Sequence, residues 1–314
     1  MTQGARRFTL DTQGGGGLVR ANQWRASLDS LRLSVAEVPA DGARNARPPW
    51  QLQLQAPVST TIVRGTAAAP SLQVESSGGA ATLTGPVEGT VRVEWQPVRL
   101  NQRTVKGKNA IRLQSQGKLQ GLPLAWIEAF NRSGTLKELG ISGDLVFDGD
   151  WDIDAGDTLR AHARVARQRG DIRVQAGEAA MVTRLRSTGT GTASEITTDV
   201  GEGEGPSTPA GLRRAELNLD AQGNSVRATL DWESERAGNI KAEAATEVTQ
   251  REGGWQWGGD AAASGRVRAQ LPKLGVWSML APPGWRIGGT LDADATLSGT
   301  RNAPRWNGKL AADN

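Results

Sequence analysis

The sequence predicts an all-β protein built on antiparallel sheet, and three observations carry that expectation. Apolar and polar residues alternate at period two in stretch after stretch, the mark of strands with one buried face. Turn-forming glycine is abundant, with 40 in 314 residues. No strand pattern alternates with a long helical pattern, which disfavours a parallel α/β sheet.

Taken along the chain, Trp50, Leu52 and Leu54 alternate with Gln51, Gln53 and Gln55, and Val91, Val93 and Trp95 with Arg92 and Glu94. Phe147, Trp151 and Ile153 oppose Asp148, Asp150, Asp152 and Asp154, and Leu159, Ala161, Ala163 and Val165 oppose Arg160, His162 and Arg164. Ala215, Leu217, Leu219 and Ala221 form an apolar face against Glu216, Asn218 and Asp220. Gln222-Gly223-Asn224 then reads as a tight turn into Val226, Ala228, Leu230 and Trp232, an antiparallel hairpin. Ile240, Ala242 and Ala244 repeat the pattern with Lys241 and Glu243 outside.

Two segments break the alternation. Each has a proline ahead of apolar residues at mixed spacing, and each predicts one short helix, near 123–131 and 272–281. An Ile-x-Gly and a strand follow in both, through Ile141, Gly143 and Leu145 and through Ile287, Gly289 and Leu291. The offsets of 146 (Ile141 to Ile287) and 149 (Pro123 to Pro272) define an internal repeat of about 147 residues. Gly14 to Gly17, Pro39 to Pro49, Ser76 to Ala80 and Val200 to Pro209 read as turns or linkers. The division that follows is a β-rich segment over 1–120, a helix with strands over 121–200, β hairpins over 201–270, and a second helix with strands over 271–314. The chain opens in a strand-like pattern and stops directly after one, which reads as a segment of a longer protein.

Composition narrows the chemistry. With 37 Lys and Arg against 33 Asp and Glu the net charge is +4, too weak an excess to imply nucleic acid, and no basic cluster is interleaved with aromatics. Without cysteine there is no disulfide, zinc-thiolate site or thiol nucleophile. The start of the chain lacks the apolar core of a signal peptide, and Leu122 to Phe130 and Val276 to Leu280 fall short of the ~18 residues of a membrane span. Asp148 to Asp157 holds five carboxylates, but a calcium loop counted from Asp148 needs Gly at its sixth and Glu at its twelfth position and finds Ile153 and Leu159. A strand with a solvated acidic face is the simpler account. His162, the only histidine, falls mid-strand between arginines, and no G-x-S-x-G elbow or phosphate-binding glycine loop occurs. These features predict no enzyme and no cofactor.

At the C-terminal end, Gly288-Gly289-Thr290-Leu291-Asp292-Ala293 leads into Ala295-Thr296-Leu297-Ser298-Gly299-Thr300 and then Pro304 and Gly308-Lys309-Leu310. This resembles the repeating strand pattern of the TamB family of Gram-negative envelope proteins, relatives of AsmA. Trp50 to Pro57 and Leu122 to Trp126 are similar to interior segments of that family. The resemblance implies an elongated, repetitive antiparallel sheet rolled into an open apolar trough that carries phospholipid between inner and outer membranes and supports outer-membrane protein assembly. It also implies a periplasmic location, an inner-membrane anchor and an outer-membrane barrel partner of the TamA type, both belonging to the parent protein. On that reading Leu52, Leu54, Val93, Leu145, Phe147, Trp151, Leu217, Leu219, Val226 and Leu230 line the groove and touch acyl chains. The same residues would equally form a closed, dry β core. A secreted β-solenoid adhesin and a carbohydrate-active enzyme on a β scaffold are the other readings of the pattern.

Overall fold

The computed structural model describes residues 2–3, 6–37, 48–66, 68–105, 108–126, 141–175, 207–251, 254–274 and 288–313. The chain is nearly all β, as the alternation predicts. One antiparallel sheet of 18 strands dominates it, with a three-stranded and a two-stranded sheet beside it.

The sheet is a meander in which each strand position pairs with the next along the chain. It opens with β1 (Thr2–Gln3), β2 (Arg6–Arg20) and β3 (Gln23–Glu37). Next come three strand positions each broken in the middle: β4 (Trp50–Leu54) with β5 (Val58–Arg64), β6 (Ser71–Ser76) with β7 (Gly79–Thr84), and β8 (Thr90–Trp95) with β9 (Val98–Val105). The unbroken β10 (Lys108–Pro123) closes this part by pairing with both β8 and β9. The sheet continues through β12 (Val146–Ala155), β13 (Leu159–Arg169), β16 (Leu212–Gln222), β17 (Ser225–Ser234), β18 (Gly238–Glu247), β21 (Ala263–Leu271), β22 (Thr290–Thr300) and β23 (Ala303–Asp313). Gly223 has φ 60°, the left-handed backbone that the β16–β17 turn requires, and Gln222 faces Ser225 across it as the sequence predicts.

The three breaks align into a crease across the sheet. Residues 55–57, 77–78 and 96–97 interrupt adjacent strands, and Pro57 and Pro97 sit where neither can donate to a ladder. Gln55 N donates to Ala80 O at 2.8 Å and Gln96 N to Gln116 O at 2.9 Å, so the sheet bends there without parting. Two expectations are corrected here. Ser76 to Ala80 is this bend rather than a chain reversal. Gly14 to Gly17 is not a loop: it lies inside β2, paired with Arg25 to Leu28 beside a bulge in β3, where a side chain at Gly14 would run into the Ser27 carbonyl.

A second crease crosses the other half. β11 (Ile141–Gly143), β14 (Ile172–Gln175) and β15 (Ser207–Pro209) form the three-stranded sheet as extensions of β12, β13 and β16 beyond a break at residues 144–145, 170–171 and 210–211. Asp171 holds it together: Oδ1 accepts from the N–H groups of Ile172 and Leu212 at 2.9 Å and Oδ2 from that of Gly211 at 2.8 Å. Asp144 Oδ1 accepts from Asp171 N–H, which holds the Asp144 carboxyl below its usual pKa. Around this crease sits the densest core: Leu145, Ile172, Ala210, Leu212, Ala215 and Ala237, with Leu124, Phe147 and Trp232 packed on it.

The two segments expected to be helical leave the sheet at the same end. Residues 124–126 form a helical turn after β10, and a turn starts at Leu274 after β21; the remainder of both segments lies outside the described residues, as do most of the expected linkers over Pro39 to Pro49 and Val200 to Pro209. Leu124 N donates to Leu145 O and Leu274 N to Gly289 O, and Gly143 (φ 142°) and Gly289 (φ 84°) both have positive φ in the return limbs. The first segment returns through β11 in the small sheet and the second directly into β22. Trp126 is fully buried, edge-on to Trp50 with ring centroids 4.8 Å apart, and its Nε1 donates to Val87 O at 3.2 Å.

Candidate functional site

The register of the meander turns the alternation within each strand into rows that run across the sheet. One row reads Leu54, Ala81, Val93, Leu119, Gly149, Val165, Leu217, Leu230, Ala242, Val267, Ala295 and Gly308, each directly opposite the next. No polar side chain interrupts these twelve strand positions, which span 11 steps of about 4.8 Å, or roughly 50 Å. Two residues further along each strand, Gly79, Trp95, Gly117, Trp151, Ala163, Leu219, Ala228, Ala244, Gly265, Leu297 and Trp306 make a second row. Here Trp95 and Trp151 stand opposite glycines, and a side chain on Gly117 would overlap the Trp151 ring. Trp151 Nε1 donates to Ser115 Oγ at 3.0 Å. Leu52, Leu83 and Val91 extend the apolar face on one side of these rows, and Val226 opposite Ala221 on the other.

This face is largely uncovered. Among the described residues eleven apolar side chains are buried, and six of them belong to the cluster at the second crease. On the open rows Leu217 is 47% exposed and Leu219 40%, and on β23 Trp306 and Leu310 reach 61% and 70%. A closed sandwich would bury these positions under a second sheet.

Nine of the ten sequence-predicted lining residues fall on the face: Leu52, Leu54, Val93, Phe147, Trp151, Leu217, Leu219, Val226 and Leu230. Leu145 does not. It sits in the break before β12, only 2% exposed within the packed cluster. Sequence reasoning missed Leu119, Val267 and Ala295, whose strands alternate as clearly, and Gly117, whose role depends on a tryptophan 34 positions away.

The opposite face is charged and paired. Arg112 meets Asp154 at 2.6 Å, Arg164 meets Glu216 at 3.0 Å, and Arg214 reaches Glu216 at 3.1 Å and Asp231 at 3.0 Å. Arg266 forms a two-point pair with Asp294, and His162 Nδ1 lies 2.7 Å from Asp220. Hydrogen bonding from Arg164, and then from Asn218, draws the Glu216 carboxyl down from its usual 4.5 to about 2. Hydrogen bonding from Arg112 lowers Asp154, and from Arg266 lowers Asp294. The acidic run resolves in the same way: Asp150 faces Lys118 and Arg164, Asp152 faces Gln116 and His162, and Asp148 Oδ1 accepts from Gly121 N–H. Among the described residues no group of three metal-ligating side chains converges. Two concavities open on this charged face, one lined by Lys241, Arg268, Asp294 and Lys309, the other by Arg214, Asp231 and Arg266.

At the end of the sheet opposite the helical turns, a hairpin of β19 (Thr249–Arg251) and β20 (Gly254–Gln256) departs between β18 and β21. It reaches back to the β12–β13 turn, where Gln250 Nε2 and Trp255 Nε1 both donate to Gly156 O at 3.1 Å.

The described residues define a class of structure: a single-layer antiparallel meander with one charged face and one open apolar face. Comparisons with protein-family models, curated proteins and solved structures return no match.

Proposed function

We propose that the apolar face is a track for lipid acyl chains and that the chain is a segment of a lipid conduit of the TamB kind, acting by carriage rather than catalysis. The observation that supports the reading most is the row from Leu54 to Gly308, unbroken by a polar side chain and left open at Leu217 and Leu219. A two-chain lipid has around 30 methylenes, and at about 0.8 kcal/mol each its free passage through water costs on the order of 20 kcal/mol. An apolar strip roughly 50 Å long accommodates a chain of about 15 Å, half the hydrocarbon core of a bilayer, at any point along its length. The ion-paired face keeps the other side of the sheet in water. In this proposal the segment works in the periplasm of a Gram-negative cell, and its parent protein supplies the inner-membrane anchor and meets an outer-membrane barrel of the TamA type.

The test is mass spectrometry of lipids that copurify with the chain from Gram-negative cells, against a closed β-sandwich of similar size. Stoichiometric phospholipid is the expected result. A lipid-free, monodisperse protein that also takes up none from phospholipid vesicles would refute the proposal.

A further inference from the structure

We infer that Arg167 is the seat of a bound phospholipid's phosphate, with the two acyl chains laid along β13 and β16. Of the paired positions on the apolar face from β12 to β23, Arg167 alone carries a charge. It faces Phe147 on β12 and, because Ala166 pairs with Glu216, stands beside Ala215 on β16. The inference rests on the reading of this face as an acyl-chain track and adds to it a fixed point and a direction.

The contrast with the charged face is the first argument. Arg112, Arg164, Arg213, Arg214 and Arg266 each meet a carboxylate. Arg167 meets none among the described residues, and at the crease beside it Asp144 and Asp171 spend their oxygens on backbone N–H groups. Arg167 Nε donates to Gly170 O at 2.9 Å and Nη1 to Arg213 O at 3.4 Å. Those bonds use two of the five N–H groups of a guanidinium and leave three without an acceptor. The side chain is half-buried, a setting in which a cation favours an anionic partner, and its fork matches the oxygens of a phosphate. Trp232, opposite Ala215 on the same row, buries its Nε1 with no acceptor, so donors are in surplus at this corner of the face.

Exposed apolar surface adjoins the cation and supplies the second argument. Val165, two residues before Arg167, is 39% exposed and faces the open Leu217, with Leu219 next along β16. From Arg167 the face of β13 continues through Val165, Ala163 and Ala161 to Leu159, roughly 26 Å at ~3.3 Å per residue, more than an acyl chain needs. Leu217 and Leu219 give a parallel bed on the neighbouring strand. A two-chain amphiphile with its phosphate on Arg167 covers both, its tails pointing from the second crease towards the β16–β17 turn.

The test uses vesicles of dioleoylphosphatidylglycerol doped with dioleoylglycerol, which shares the acyl chains and lacks the phosphate. Mass spectrometry of the lipid retained by the full chain should show phosphatidylglycerol enriched over diacylglycerol about tenfold relative to the vesicle, the worth of a hydrogen bond to a charged group. Arg167→Met should abolish the enrichment while retaining diacylglycerol as the unaltered chain does, and Arg167→Lys, which keeps the charge and loses the fork, should fall between. Arg169→Met removes the same charge from the other side of β13 and should leave the preference in place. Equal retention of both lipids by the unaltered chain, or an unchanged preference in either Arg167 variant, would overturn this inference and leave the track standing. Retention of neither lipid by the unaltered chain would overturn both. Inorganic phosphate that erases the preference at millimolar concentration would overturn the inference in favour of a site for free phosphate.

Discussion

Replacing Leu219 by aspartate places a carboxylate in the second apolar row, opposite Ala163 and Ala228. Leu219 is 40% exposed, and full burial of a leucine is worth about 1.5 to 3 kcal/mol, so an acyl chain covering it gains about 0.6 to 1.2 kcal/mol. Aspartate loses that gain, and bringing a carboxylate under hydrocarbon adds about 2.5 kcal/mol or more. A bound chain escapes part of this by sliding along the row, so the expected effect is a lower bound of about tenfold in lipid occupancy, equivalent to 1.4 kcal/mol. Asn218→Asp, one residue away on the charged face, is the control. It removes the amide that donates to Glu216 Oε1 at 3.1 Å, so it lowers stability while leaving the apolar face intact. The assay is the lipid-to-protein ratio after incubation with phospholipid vesicles, with folding checked by circular dichroism. Leu219→Asp should fall at least tenfold and Asn218→Asp less than threefold. Equal losses, or full occupancy in Leu219→Asp, would refute the assignment of this face to acyl chains.

Three further outcomes follow from the packing and the charged face. The Glu216 carboxyl is lowered on folding, so its contribution is present above its usual 4.5 and is lost as pH falls towards 2; the melting temperature should drop across that window, and Glu216→Gln should flatten the drop. Gly117→Val forces a side chain into the Trp151 ring and the Glu94 carbonyl, and chemical denaturation should register a loss of about 1 to 3 kcal/mol with changed tryptophan fluorescence. Trp126→Ala empties the site where the helical turn meets Trp50 and should cost about 3 to 5 kcal/mol by the same measurement, whereas Trp126→Phe, which gives up chiefly the bond to Val87 O, should cost less.

The legible part of this fold is what a single strand encodes by itself. Alternation placed Leu217 and Leu219 against Asn218 and Asp220, and Gly223 set the β16–β17 turn, because both depend on residues a few positions apart. Two failures came from reading glycine only as punctuation. Gly14 to Gly17 stays in β2, where Gly14 and Gly16 approach Ser27 and Ala26 too closely for a larger side chain, and Ser77-Gly78 bends a strand without reversing it. Leu145 kept the parity of a lining residue, but the break at 144–145 turned it into the core, and a break of that kind leaves no period in the sequence. Register was the largest gap. Trp151 against Gly117 joins two strands whose spacing along the chain is set by the segment between them, so the pairing appears only when the strands are aligned.

The nearest-neighbour order of the meander bears on how such a protein changes length. Along the main sheet each strand position hydrogen-bonds the positions beside it, and the order follows the chain. Inserting or deleting one hairpin leaves the directions of all other strands unchanged and alters the width of the sheet by about 10 Å. Reach is therefore a property that duplication can adjust in fixed increments, much as a solenoid grows by whole repeats. An internal repeat, such as the one of about 147 residues expected from the sequence, is the trace such a step would leave in a chain.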